Sequence, residues 1–143
     1  MLLQKNLTIN ASPQQVFGYW ADFRNFQLFI PIIESIDILD DKRSRWFIHA
    51  PLGHSISFES LITTFEPGKK LVWESNHADG FARGELRLTD SGKSTLVELD
   101  FEYHLHRGWM QNIALLVKHF GFPSLAFDHG LARIKEQIEK GNL

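Results

Sequence analysis

His104 and His106 stand two apart, so on an extended strand both imidazoles leave the same face, a spacing that a shared metal ion can use. Glu102 falls on that face too, but nothing marks a third ligand, and two solvated histidines account for the pair. No metal site is expected. Tyr103 points the other way, onto an apolar face with Val97, Leu99, Phe101 and Leu105, where its hydroxyl can donate to a ligand carbonyl or act as a weak acid. The plainer explanation is a buried tyrosine bonded to backbone. Arg83 lies on a strand where a charged group could reach a pocket mouth, although a solvated strand residue is the commoner outcome.

Other polar residues carry less. His49 and His54 flank a Pro51-Leu52-Gly53 turn, and His119 and His129 sit on a C-terminal helical stripe. Asp128 adjoins His129, but neighbours on a helix point roughly 100° apart and rarely orient one another. The acidic pair Asp40-Asp41 falls in a hairpin, where solvation explains it. No glycine-rich phosphate loop follows a strand, and Gly80 and Gly84 read as bracketing a turn. The chain has no cysteine, which removes disulfides, thiolate metal sites and cysteine nucleophiles. No nucleophile with a base can be named, so no catalytic residue is nominated and no cofactor is expected.

The remaining candidates are bulky and apolar. The chain holds twelve Phe and four Trp against two Tyr, which implies an interior poor in hydrogen-bonding groups. Trp46, Phe58, Trp73, Phe101, Tyr103, Leu116, Phe120 and Phe127 are the residues expected around a ligand cavity. The competing reading has these side chains filling the space themselves.

Period-two and helical patterns indicate the elements that would place them. Leu3, Lys5, Leu7 and Ile9 alternate with polar residues as a first strand. Ser12 and Gln15 form a capping box around Pro13, opening a helix whose Val16, Phe17 and Trp20 share a buried face. Asp22 caps a second short helix through Phe26, and Pro31 ends the helical stretch. Period two resumes through Ile36 and Ile38 and over 43–50, 55–65, 70–75, 83–89 and 95–105, separated by short turns such as Glu66-Pro67-Gly68 and Asp90-Ser91-Gly92. Spacers this short join antiparallel neighbours. Helical spacing returns with Trp109, Ile113, Leu116 and Phe120, then Phe127, Leu131, Ile134 and Ile138, with a kink expected at Pro123. A helix over 123–139 would be about 25 Å long at ~1.5 Å per residue, enough to cross a sheet.

The length of 143 residues suits one domain, 1–143. A net charge of -2 without a basic block argues against a nucleic-acid partner. The longest apolar run, 26–33, is far below the ~18 to 20 residues of a membrane span. The first residues lack a secretory pattern, so the expected location is cytoplasmic.

The stretch 7–26, centred on Ser12-Pro13-Gln14-Gln15-Val16-Phe17, resembles the opening of the polyketide cyclase/dehydrase branch of the START-like superfamily. Similar too are Trp46 with Pro51-Leu52-Gly53, Pro67-Gly68 followed by Val72-Trp73-Glu74-Ser75, and Leu131-Ala132-Arg133-Ile134-Lys135. The resemblance implies an α+β helix-grip fold: a curved antiparallel sheet of about seven strands around a long C-terminal helix, with two short helices after strand one. It also implies a cavity between sheet and helix that relatives use for lipids, polyketides, quinones or plant hormones. The motifs are caps, turns and core aromatics, so no family active-site residue is carried over.

Three functions follow as expectations. The first is binding, for transport or sequestration, of a small apolar or aromatic molecule such as a lipid, quinone or polyketide. The second is an aromatase/cyclase that directs closure of a bound carbonyl chain, with Tyr103 its one nameable residue. The third is a protein-interaction module using Phe26-Gln27-Leu28-Phe29 and Phe120-Gly121-Phe122 as exposed apolar patches. No oligomeric state is assigned.

Overall fold

Strict alternation along six successive stretches produces an antiparallel meander, and the computed structural model arranges it as a seven-stranded sheet of order β1-β7-β6-β5-β4-β3-β2. The structure describes residues 2–28, 33–49, 55–77, 80–105 and 124–141. The strands are β1 (Leu2–Ile9), β2 (Ile33–Ile38), β3 (Arg43–His49), β4 (Ser55–Glu66), β5 (Lys70–His77), β6 (Gly80–Asp90) and β7 (Thr95–Leu105). From β2 to β7 each strand pairs with its neighbour in sequence, and β1 adds to the sheet against β7, with Leu7 opposite Val97. The expected helix-grip α+β architecture is the observed one.

Helix α1 (Pro13–Ala21) starts at the predicted capping box. Ser12 Oγ accepts from the Gln15 amide at 3.2 Å, and the Gln15 side chain accepts from the Ser12 amide. The second short helix is a 3₁₀ segment, Phe23–Leu28. Asp22 starts it by accepting from the Arg24 amide, while Asn25 Nδ2 donates to Tyr19 O at 2.8 Å and Gln27 Nε2 to Glu34 O at 3.0 Å. These bonds tether the segment to α1 behind it and β2 ahead.

The C-terminal helix, α2 (Ser124–Glu139), buries the predicted stripe of Leu131, Ile134 and Ile138. Polar contacts hold it to β1 and the residue that follows: Lys5 Nζ meets Asp128 Oδ1 at 2.8 Å, and the Asn10 amide donates to Glu139 Oε2. The predicted helical stretch before it, with Pro123, lies outside the described residues. No helix among the described residues is long and apolar enough to cross a membrane.

The sheet's outer face carries charge. Arg83 is part of it, in line with its reading as a strand residue on the polar side rather than at a pocket mouth: its Nη2 donates to Glu85 Oε1 at 2.9 Å, and Glu74 lies nearby. Period two from the inward-facing Leu86 puts Arg83, Glu85 and Arg87 on the opposite side. Arg87 also pairs with Asp100 at 2.8 Å. Burial pushes the Glu85 carboxyl up, but hydrogen bonds from Arg83 and Arg87 outweigh it and hold the group low.

The β2–β3 turn depends on one carboxylate. Asp40 Oδ1 accepts from the amides of Lys42 and Arg43 at 2.9 and 2.8 Å, and Oδ2 pairs with Arg43 Nε at 2.7 Å. These contacts, the Lys42 amide first, lower the carboxyl from 3.8 to about 2. A depressed folded-state value stabilises above the unfolded value, and the contribution is lost as pH falls from 3.8 toward about 2. Asp40→Asn is therefore expected to melt below wild type at neutral pH, with the gap closing between pH 4 and 2. Thermal melts across that range would reject this assignment if the gap stayed constant.

Candidate functional site

Register across the sheet decides which side chains meet on its concave face. Trp46 of β3 is opposite Phe58 of β4, Ile62 of β4 is opposite Trp73 of β5, and Trp73 is opposite Gly84 of β6, which is in turn opposite Phe101 of β7. Four of the predicted lining residues, Trp46, Phe58, Trp73 and Phe101, thus share this face. Trp46 and Phe58 stack with centroids 5.9 Å apart.

Between the two indoles lie two rings that the sequence reading placed only in a short helix. Phe23 is 5.5 Å from Trp46 and 5.4 Å from Trp73, and Phe26 is 5.6 and 6.2 Å from the same pair. Side chains three apart eclipse in a 3₁₀ turn, so both rings point the same way and stack at 5.4 Å. Phe26 is buried, which corrects its assignment to an exposed interaction patch: the 3₁₀ geometry turns it inward. Trp20 of α1 completes the cluster edge-on to Phe26.

Gly84 also differs from expectation. It does not bracket a turn; it stands inside β6, where a Cβ would lie 2.2 Å from Trp73 Cζ2. The missing side chain lets the Trp73 indole lie over the strand backbone. Gly80 is likewise the first residue of β6, paired with His77 and Leu105.

A row of small residues crosses the same face: Ser44, Ser60, Ser75 and Ala82 are successive cross-strand partners. Trp46 Nε1 donates to Ser44 Oγ at 2.9 Å, and Ser75 Oγ donates to Glu59 O at 2.9 Å. On α1, burial pushes the Tyr19 phenol up. Lys5 is on the inward side of β1, 24% exposed, where it meets Asp128. The sequence reading passed over its charge, because a lone cation in an alternating strand gives no sign of a partner 123 residues away.

At the end of the sheet bearing the β2–β3 turn, an open groove of about 540 Å³ runs beside Phe23. Ile38, Ile62 and Phe65 form its apolar wall, and the ion pairs Arg24–Asp22 and Arg43–Asp40 its rim.

Of the other predicted residues, Tyr103 belongs to β7 opposite Ala82, and Phe127 to α2; their side chains lie outside the described residues, as do Leu116 and Phe120 altogether. His104 is exposed with its Nε2 2.9 Å from Glu102 Oε1, and His106 is outside the description. No group of three His, Asp or Glu that could hold a metal occurs among the described residues. The site as described offers apolar enclosure, aromatic faces for stacking and a few neutral hydrogen-bonding groups.

Comparison with known proteins agrees with this geometry. Residues 3–139 match the family model described as polyketide cyclase/dehydrase and lipid transport. No curated protein matches the chain by sequence. Among solved structures, a protein from Deinococcus radiodurans superposes with a TM-score of 0.77 at 27% identity, covering 99% of this chain and 98% of that one. A START superfamily protein from Mycobacterium smegmatis gives 0.72 at 17% identity over 96% and 98%. The Zhui aromatase/cyclase from Streptomyces gives 0.66 at 14% identity over 96% and 95%, a likeness of fold.

Proposed function

Since the chain belongs to the polyketide cyclase/dehydrase and lipid transport family, we propose that it holds a small apolar or aromatic molecule between its sheet and C-terminal helix, for transport or sequestration. The observation that carries this reading is the aromatic concave face, where Trp46, Phe58 and Trp73 stand beside Phe23 and Phe26. Rings at these separations interact by edge and offset contact, and a flat ligand can exchange such contacts for its own at little cost. The serine row and the amphipathic groove beside Phe23 supply polar groups to orient what enters. Phe101, Tyr103, Leu116, Phe120 and Phe127 are proposed to complete the lining.

The test is to incubate purified protein with a lipid and metabolite extract and analyse the complex by native mass spectrometry. A bound apolar species that survives washing supports the reading. Bare protein from every extract overturns it.

A further inference from the structure

Trp20 Nε1 and Ser60 Oγ are buried without a hydrogen-bond partner among the described residues. Ser60 can rotate its hydroxyl to donate or accept, but an indole N–H only donates, so Trp20 requires an acceptor. Buried donors left unpaired are rare in folded proteins. The contrast with Trp46 is instructive, because the same group in the same aromatic cluster reaches Ser44 Oγ at 2.9 Å. Trp20 is 2% exposed, and its ring meets Phe26 at 6.4 Å with planes 78° apart. Phe26 belongs to the six-residue 3₁₀ segment, whose hydrogen-bond geometry is poorer than that of α1 or the sheet.

We propose that Trp20 Nε1 donates a hydrogen bond to the bound molecule, and that the ligand is an apolar compound with an unhindered carbonyl-type oxygen, seated where the Phe26 ring now meets the indole. This rests on the carrier reading and adds to it the polar group the ligand must bear. A ligand oxygen within about 3 Å of Nε1 satisfies a donor already stripped of water, so the bond forms with little further desolvation. A hydrocarbon of the same shape leaves the donor unpaired.

9-Fluorenone and fluorene test this, sharing a flat tricyclic frame and differing by a carbonyl in place of a methylene. Wild-type protein is expected to bind the ketone about tenfold more tightly, the worth of one neutral hydrogen bond. The Trp20 Nε1–H resonance, assigned by its loss in Trp20→Phe, should move downfield with the ketone alone. Trp20→Phe should lose the preference and bind the two compounds alike. Phe26→Ala, which removes the adjoining ring and spares the indole, should strengthen both compounds and preserve their ratio, which keeps the question decidable if Trp20→Phe does not fold. Equal affinities in wild type, an unmoved resonance, or a preference surviving in Trp20→Phe would overturn the proposal; an N–H satisfied by the face of Phe26 would give the first two results. Binding of fluorene without a ketone preference leaves the carrier reading standing and removes the donor. Failure of both compounds to bind also overturns the proposal, while the carrier reading is decided by the extract experiment.

Discussion

Gly84→Ala is expected to destabilise the protein by about 3 kcal/mol, although alanine ordinarily improves on glycine inside a strand. The sign turns on one contact. A Cβ at position 84 would fall 2.2 Å from Cζ2 and 2.3 Å from Cε2 of Trp73, so the indole must leave its place. Trp73 is buried and in contact with Phe23 and Phe26, and moving it loosens both rings of the 3₁₀ segment. At roughly 4 °C per kcal/mol for a chain of this size, the melting temperature should fall by roughly 12 °C. A double-mutant cycle identifies the cause: in a Trp73→Ala background Gly84→Ala should cost little, giving a coupling of about 2 kcal/mol. An equal penalty in both backgrounds would mean that β6 itself, not the indole above it, rejects the side chain.

The same contact shows how far the sequence can be read. Alternation needs no tertiary information, so β7, the capping box at Ser12 and the α2 stripe are all recognisable along the chain. Gly84 is opaque, because glycine serves both as a turn former and as a place for something to lie across a strand, and only the partner distinguishes these. That partner is Trp73, delivered by cross-strand register. Taking Gly80 and Gly84 as turn residues began the strand late, at 83 instead of Gly80; with Gly84 inward, period two fixes Arg83 outward, where a solvated strand residue belongs. The lining shows the same division. Large aromatic residues at Trp46, Phe58 and Trp73 predict a bulky interior from composition and period, but β3 carries bulky groups on both faces, so the inward side of Trp46 needs its register with Phe58. That the i, i+3 pair Phe23 and Phe26 enters between the two indoles does not follow, since it requires the 3₁₀ segment to be carried back over the sheet by the bonds at Asn25 and Gln27. Unpaired polar atoms such as Trp20 Nε1 are still less legible, being defined by what all other elements fail to supply.

Phe23→Ala should have the largest effect, about 3 to 5 kcal/mol, because it deletes a buried ring that touches Phe26, Trp46 and Trp73 together. Where in that range it falls depends on collapse. The indoles are borne on β3 and β5, separated by β4 and fixed by ladder pairing, so they cannot close on the vacated volume as two helices might. The void should persist, and apolar voids of ring size stay dry and accept small aromatic guests. Indole or benzene added to Phe23→Ala should therefore raise its melting temperature in a concentration-dependent way, by the free energy of binding to the folded state, and do less for wild type. This separates two accounts of the concave face. If Phe23 occupies a site that a ligand can take, the variant binds aromatic guests and recovers stability with them. If the rings are ordinary core that repacks on truncation, added guests leave the variant's melting curve unchanged, and the carrier reading loses the aromatic cluster as its support.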